Sequence, residues 1–336
     1  MKNKKFRSIF NFILLFVITA LVLYFSLKDD YEIIIYQILH INVIWLVIAF
    51  LLVIAYWFFR AITVKNLANR FHSDYTLGNA MRLVVETNFF HAITPFSSGG
   101  QPYEIYSLKK SSLRVTDATN ISIQNFIVYQ IALVLLGIIS LIVNHFYHLF
   151  SSSVGLQKLV ALGFFMNTFV IVILFIVTFG RKLNRKIIDG SIHLLYRMKI
   201  IKNEERILQK SDSYLSEFHM GAKLLLKDKR NFIFLVGLQF ISLCCFYLVP
   251  LCLLYGTGNY VAFTPIESIV TSAYVMLIGS FVPIPGGTGG LEYGFIAFYG
   301  NFLVGSSLKA IMLVWRFITY YFGMIVGVVV LNIRKK

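Results

Sequence analysis

The stretch that most constrains this chain is Phe281-Val-Pro-Ile-Pro-Gly-Gly-Thr-Gly-Gly-Leu-Glu292, set in the middle of an apolar run. Its first ten residues include two prolines and four glycines. Neither type continues a helix, because proline lacks the backbone donor and glycine favours turns. The flanking apolar segments, Ile266 to Phe281 and Tyr293 to Val304, are each shorter than the roughly 20 residues that cross a bilayer. The pattern predicts a hairpin of two half-helices over 266–304 that enters a membrane and turns back. Non-helical backbone at that depth is tolerated only when buried in protein or lining a wet cavity, so the break reads as the floor of a site.

The same device occurs earlier. Thr94-Pro-Phe-Ser-Ser-Gly-Gly-Gln-Pro-Tyr-Glu104 sits between Met81–Ile93 and Ile105–Leu108, predicting a first hairpin over 81–108. Laid over the later break without gaps, Pro95 falls on Pro283, Gly99 on Gly287 and Glu104 on Glu292. Each break has a full-length apolar helix before it and another after it. Paired Gly/Pro-interrupted segments in the two halves of a chain point to a transporter-type binding site; the alternative is coincidence between unrelated breaks.

Composition decides the class. The 336 residues are 58% hydrophobic and only 14% charged, with a mean hydropathy of +0.75. Soluble domains carry about 25% charged residues, so this is an integral membrane protein. A net charge of +16 would suit a nucleic-acid partner, but its placement along the chain argues for topology instead. The cysteines Cys244, Cys245 and Cys252 share one apolar helix, without metal-ligand spacing or a disulfide framework.

In chain order, Lys2, Lys4, Lys5 and Arg7 precede an apolar run from Ile9 to Leu27. That run is longer than a signal-peptide core and lacks a small-residue cleavage site, so it reads as an uncleaved first span. The second span covers Ile41 to Phe59, with Trp45 and Trp57 as interfacial anchors. A polar connector carrying Arg60, Lys65, Arg70 and Arg82 leads to the first hairpin. The third span, Ala118 to Val143, begins with Asp117, Asn120 and Gln124 on one helical face. They serve either as helix-packing groups or as the lining of a cavity. Val160 to Phe179 is the fourth span. The segment 181–230 holds thirteen of the 31 Lys+Arg residues and repeats Leu183, Ile187, Leu194, Met198 and Ile201 at helical spacing. It predicts a cytoplasmic basic amphipathic segment of one or two helices on an anionic membrane surface, with a topology-setting linker as the plainer reading. Phe232 to Tyr255 and Leu308 to Ile333 complete six spans.

Charge sets the orientation. With a cytoplasmic N-terminus and hairpins that return to the side they leave, the clusters at 2–7, 60–82, 109–114, 181–230 and 334–336 all face the cytoplasm. Lys28, Lys158 and Lys309 fall outside, and Arg316 lies within a span. The expectation is a single all-α transmembrane domain over 1–336, with six transmembrane helices plus two re-entrant helical hairpins. It is multi-pass in the cell membrane with both termini cytoplasmic. The repeats, 41–143 and 231–333, are inverted, as in alternating-access transporters.

Charged residues at membrane depth are Glu86, Glu104, Glu267, Glu292 and Arg316. Each costs up to about 2.5–3.5 kcal/mol at a helix centre, so they pair or do work. Glu104 and Glu292 follow the two breaks, where simple capping of a helix start is the alternative role. Arg316, Thr319, Gly323 and Gly327 form one stripe on the last span. The glycines admit a close neighbour, and the arginine needs a carboxylate or a phosphate. His91, His145 and His148 read as interfacial rather than metal-binding. No cofactor, metal cluster, hydrolytic set or phosphate loop is expected.

Thr94-Pro-Phe-Ser-Ser-Gly-Gly-Gln-Pro, Pro283-Ile-Pro-Gly-Gly-Thr-Gly-Gly-Leu-Glu292 and Arg316-Phe-Ile-Thr-Tyr-Tyr321 resemble the lysylphosphatidylglycerol synthase transmembrane family. That family is the flippase half of the multiple peptide resistance factor. The resemblance implies movement of an aminoacylated anionic phospholipid, lysyl-phosphatidylglycerol, from inner to outer leaflet, giving resistance to cationic peptides. The chain departs from full-length members by stopping three residues after its last span, without their cytoplasmic synthase domain. Three function classes are therefore compatible with the sequence. The first is a lipid flippase with a phospholipid substrate in the membrane. The second is a phosphatidylglycerol lysyltransferase, for which lysyl-tRNA would be the one nucleic-acid partner. The third is a membrane partner of a separate lipid synthase. For the flippase, the expected lipid-binding and translocation residues are Pro95, Gly99, Gly100, Glu104, Pro283, Pro285, Gly286, Gly287, Glu292, Arg316 and Thr319. Arg316 would hold a phosphate, and Glu104 and Glu292 an amine.

Overall fold

The computed structural model describes residues 31–72, 74–150, 154–200, 203–258, 260, 263–280 and 282–333. The expected first span at 9–27, with its basic flank, and the basic residues 334–336 lie outside them. Every regular element among the described residues is helical: α1 (Tyr31–Leu39), α2 (Val43–Ala68), α3 (Leu77–Ala92), α4 (Gly100–Lys110), α5 (Val115–Tyr147), α6 (Val154–Phe179), α7 (Arg181–Arg197), α8 (Glu204–Lys227), α9 (Lys229–Tyr247), α10 (Val249–Gly256), α11 (Pro265–Gly279), α12 (Gly290–Tyr299), α13 (Gly305–Arg316) and α14 (Phe322–Asn332).

Five of the helical runs are long and apolar enough to cross a membrane: Val43–Ala68, Val115–Tyr147, Gly155–Phe179, Lys229–Gly256 and Gly305–Asn332. Two of these are compound. Pro250 divides α9 from α10, where it removes a backbone donor. A π-helical turn, Phe317–Tyr321, joins α13 to α14. Their outward faces are apolar, with Val47, Leu51 and Phe58 on α2 and Phe165, Phe169 and Val172 on α6 all exposed. A continuous apolar exterior is what a lipid environment accepts and water does not.

Several sequence expectations shift by the length of a turn or two. The second span does not stop at Phe59: residues 60–68 contain no glycine or proline and continue α2 to Ala68, which brings Arg60 into the helix. Trp57 is consequently no interfacial anchor. It is only 5% exposed and stacks on Phe322 at 5.5 Å. The basic segment forms two helices, α7 and α8, packed on each other. Most of α7 is exposed, but α8 turns Leu215, His219, Ala222 and Leu225 inward. The polar face of α5 meets that surface: Gln124 Nε2 donates to the Gly221 carbonyl at 3.1 Å, and Thr116 Oγ1 donates to Glu217 at 3.1 Å. These groups are packing groups, and the segment is docked on the helical bundle.

Both breaks produce helix–turn–helix hairpins. In the second, Tyr299 at the end of α12 lies 3.5 Å from the Ser268 carbonyl near the start of α11 and 2.7 Å from Ser272 in its middle, while Leu291 at the start of α12 lies against Gly279 at the end of α11. The two helices therefore run antiparallel along their whole length. In the first, Tyr103 on α4 donates to Glu86 on α3 at 2.7 Å and stacks on Phe90 at 4.1 Å. Their helical bounds are 77–110 and 265–299, slightly different from the expected 81–108 and 266–304.

The structural register of the two hairpins differs from the gap-free sequence overlay. Thr76 and Thr264 cap α3 and α11 in the same way, each accepting from the backbone N–H three residues on, and they lie 188 positions apart. Beyond the break the spacing becomes 190: Pro95 and Pro285 each open a turn, and Gly100 and Gly290 each start the returning helix. The second break has gained two residues. Pro95 therefore corresponds to Pro285 rather than Pro283, and Glu104 to Gly294 rather than Glu292.

Candidate functional site at the two hairpin tips

Each tip is a short turn opened by proline, whose fixed φ suits the first helical position. The next two residues are left-handed in both copies: Phe96 and Ser97 at φ 53° and 52°, Gly286 and Gly287 at 66° and 62°. Glycine takes this backbone freely, whereas an L side chain there is strained by roughly 1–2 kcal/mol per residue. Strain of this kind persists only where the surroundings impose it. At the first tip, His91 Nδ1 is bound to the Ser97 carbonyl, and Thr94 Oγ1 accepts the Gly99 N–H at 2.8 Å. The two turns pack against one another. Tyr320, from the π-helical turn, clamps them by donating to the Ala92 carbonyl at 2.9 Å while its ring closes over Gly286.

Behind the second tip lies a closed ion pair. Arg316 Nε approaches Glu292 Oε1 at 2.6 Å, with the two side chains 5% and 11% exposed. Nη2 donates to the Gly286 carbonyl at 3.0 Å and faces Thr288 Oγ1 at 3.4 Å. The guanidinium also lies 4.7 Å from the Tyr320 ring centroid. Glu292 Oε2 accepts the Gly289 N–H at 2.6 Å, capping α12. Arginine thus ties the returning helix, the turn and the last span together.

Behind the first tip the arrangement is open. Glu104 is 6% exposed, and its two oxygens accept from Ser122 Oγ and Asn125 Nδ2, each at 3.0 Å. Asn125 in turn accepts from Gln239 Nε2 at 3.3 Å. Among the described residues no cationic group lies within ion-pair distance of Glu104. Arg60 on α2 is near enough for its charge to act on the carboxylate. Its Nη1 donates to the Tyr56 hydroxyl at 3.0 Å, and the guanidinium sits 5.3 Å from the Tyr56 centroid and 5.7 Å from that of Tyr129.

The expected site residues divide accordingly. Gly286, Glu292 and Arg316 come together at one tip. Pro285 and Gly287 complete that turn, while Pro283 precedes it and is exposed. Pro95 and Gly99 shape the first tip, and Gly100 begins α4 against the His91 ring. Thr319 donates its hydroxyl to the Trp315 carbonyl at 2.6 Å, within its own helix. The π-helical turn splits the expected stripe on the last span. Arg316 faces the second hairpin, whereas Gly323 packs on Trp57 and Asn88, and Gly327 on Val85 and Phe89 of the first. Of the other charges at depth, Glu86 pairs with Arg82 at 2.7 Å, and Glu267 forms a capping box with Thr264. Arg60, Tyr56, Tyr129, Asn125 and Gln239 were missing from the sequence-based set. The signal for Arg60 was the i,i+4 spacing from Tyr56 in a stretch with no helix breaker. Among the described residues no group of three or more His, Cys, Asp or Glu could hold a metal.

A family model described as the lysylphosphatidylglycerol synthase TM region matches residues 12–327. A UPF0104 membrane protein of Archaeoglobus fulgidus is 25% identical over 296 residues, covering 87% of each chain. The residues of both breaks and of the π-helical turn lie inside the matched span.

Proposed function

The chain belongs to the lysylphosphatidylglycerol synthase transmembrane family, and from that premise we propose that it is a lipid flippase. In this reading the head group of an aminoacylated anionic phospholipid passes between the two hairpins from the inner to the outer leaflet. The observation that carries the proposal is the contact between two non-helical tips, each backed by a buried carboxylate. In a membrane protein, interrupted half-helices meeting one another form a polar site at depth. Paired hairpins entering from opposite faces would let one tip yield while the other stays shut, which is the requirement for alternating access. An exported amino-lipid would reduce the negative charge of the outer surface and with it the attraction of cationic peptides. A separate synthase would supply that lipid.

The test is reconstitution of the purified chain in vesicles whose lysyl-phosphatidylglycerol starts in the inner leaflet. A membrane-impermeant amine reagent then reports its arrival outside. Vesicles with protein should expose the lipid at least about tenfold faster than empty ones, which corresponds to lowering the barrier by roughly 1.4 kcal/mol. Equal rates with protein that remains monodisperse would reject the flippase reading.

A further inference from the structure

Arg316 and Glu292 neutralise each other as an ion pair, and Arg316 holds a turn, so neither presents a free charge, although the Arg316 Nε, like that of Arg60, makes no hydrogen bond. The unneutralised charges lie at the other tip. Arg60 uses one nitrogen on Tyr56, while its Nε is sealed from solvent and has no acceptor. Glu104 is held only by neutral donors. On the same side Gln239 is fully buried, and its Oε1 accepts no hydrogen bond. An arginine Nε lacking an acceptor, a carboxylate lacking a direct ion-pair partner and an amide oxygen lacking a donor are each costly to bury. Arg60, Tyr56 and Tyr129 each retain part of their surface, whereas Glu104 and Gln239 are buried, so the exposed edge of the cluster is its arginine side.

Resting on the flippase reading above, we propose that Arg60 and Glu104, rather than Arg316 and Glu292, form the head-group seat, and that its ligand is a phospholipid bearing a protonated amine. A phosphate would meet Arg60 from its exposed side and, once a side-chain movement uncovers Nε, take the Nε and Nη2 fork, whose planar geometry matches two phosphate oxygens. The amine would face Glu104 and the Gln239 carbonyl oxygen. Tyr56 and Tyr129 flank the guanidinium and fix its plane. A lipid with phosphate alone would leave Glu104 without a counter-charge, so the seat discriminates by amine. This is the kind of selectivity that follows from leaving a buried polar group unmatched. Arg316 becomes a positioning residue for the second turn.

The experiment compares wild type, Arg60→Gln, Arg60→Lys and Glu104→Gln as full chains. Retention of phosphatidylglycerol, phosphatidylethanolamine and lysyl-phosphatidylglycerol is read by native mass spectrometry, and the vesicle assay is run in parallel. Wild type should prefer the two amine-bearing lipids by about tenfold, the equivalent of roughly 1.4 kcal/mol. Glu104→Gln should bring all three within about twofold of one another, and Arg60→Gln should weaken all three by about tenfold. Arg60→Lys keeps the charge but loses the fork, so it should also weaken phosphate binding; it carries the test if Arg60→Gln fails to fold. If Glu104→Gln keeps the amine preference, or both Arg60 variants retain lipid as wild type does, the seat is elsewhere and the proposal is overturned, while transport by wild type leaves the flippase reading standing. If the variants show the expected binding pattern but wild type does not translocate lipid, the flippase reading fails and the seat remains.

Discussion

Removing Arg316 tests how the second hairpin is held. The arginine is 4% exposed and Glu292 8% exposed, so Arg316→Met leaves a carboxylate without its counter-ion in the interior. Breaking a buried pair from one side costs about 3–5 kcal/mol. The Nη2 bond to the Gly286 carbonyl is lost in the same change, so it is part of this figure. Glu292→Met should cost a similar amount, because it leaves a buried guanidinium. The double variant, Arg316→Met with Glu292→Met, removes both charges and fills the space with apolar atoms. Its remaining loss should be only about 1–2 kcal/mol, from the unmatched Gly286 carbonyl and Gly289 N–H. Thermal unfolding in detergent, followed by size exclusion, should place each single variant on the order of 10 °C below wild type. The double variant should recover more than half of that drop, a coupling that only contacting residues show. If the singles unfold at the wild-type temperature, or if the double loses the sum of both, Arg316 and Glu292 are not a structural pair.

Three further outcomes follow from the geometry. Gly286→Leu places a side chain at φ 66° and drives its Cβ into the Tyr320 ring; lipid translocation should fall at least about tenfold while the protein still inserts, and normal transport would make the turn mere punctuation. In a background with Cys244, Cys245 and Cys252 replaced, cysteines at Lys110 and Ser213 should react with an impermeant thiol reagent only from the cytoplasm and one at Asn301 only from outside; labelling of the first two from opposite sides would reject the inverted arrangement. Gln124→Leu should free α8 from α5 by removing the bond to the Gly221 carbonyl, at a cost of about 1–3 kcal/mol; this should appear as faster proteolysis within 204–227, and unchanged proteolysis would show that apolar contacts alone dock the segment.

Much of this architecture was legible in residue type. Proline and glycine in apolar surroundings announce a break whatever the tertiary context, and both tips lie where Pro95 and Pro285 predict. A charge at depth announces a partner, and Arg316 with Glu292 obeys that rule. The register between the hairpins was not legible, because the two-residue gain in the second break is offset by chance matches at Pro283, Gly287 and Glu292. Arg60 was misplaced for a related reason. Local polarity ends a hydropathy run sooner than it ends a helix, since a lysine or arginine within α2 keeps its backbone bonds. The free charges at the first tip depend on which side chains the fold leaves unmatched, and no spacing rule records that.

The π-helical turn at Phe317–Tyr321 has a consequence for phase. In a regular helix, positions 316, 323 and 327 would point within a few tens of degrees of one another, because each residue advances the chain by about 100°. One i→i+5 turn inserts close to a single residue of slack, and the lower half of the span is rotated away from the upper half. The last span therefore works as a crank: its upper throw carries Arg316 to one hairpin and its lower throw carries Gly323 and Gly327 to the other. Were the same residues wound as an unbroken α-helix, the two throws would fall back into line, and a single rod could then no longer serve both hairpins.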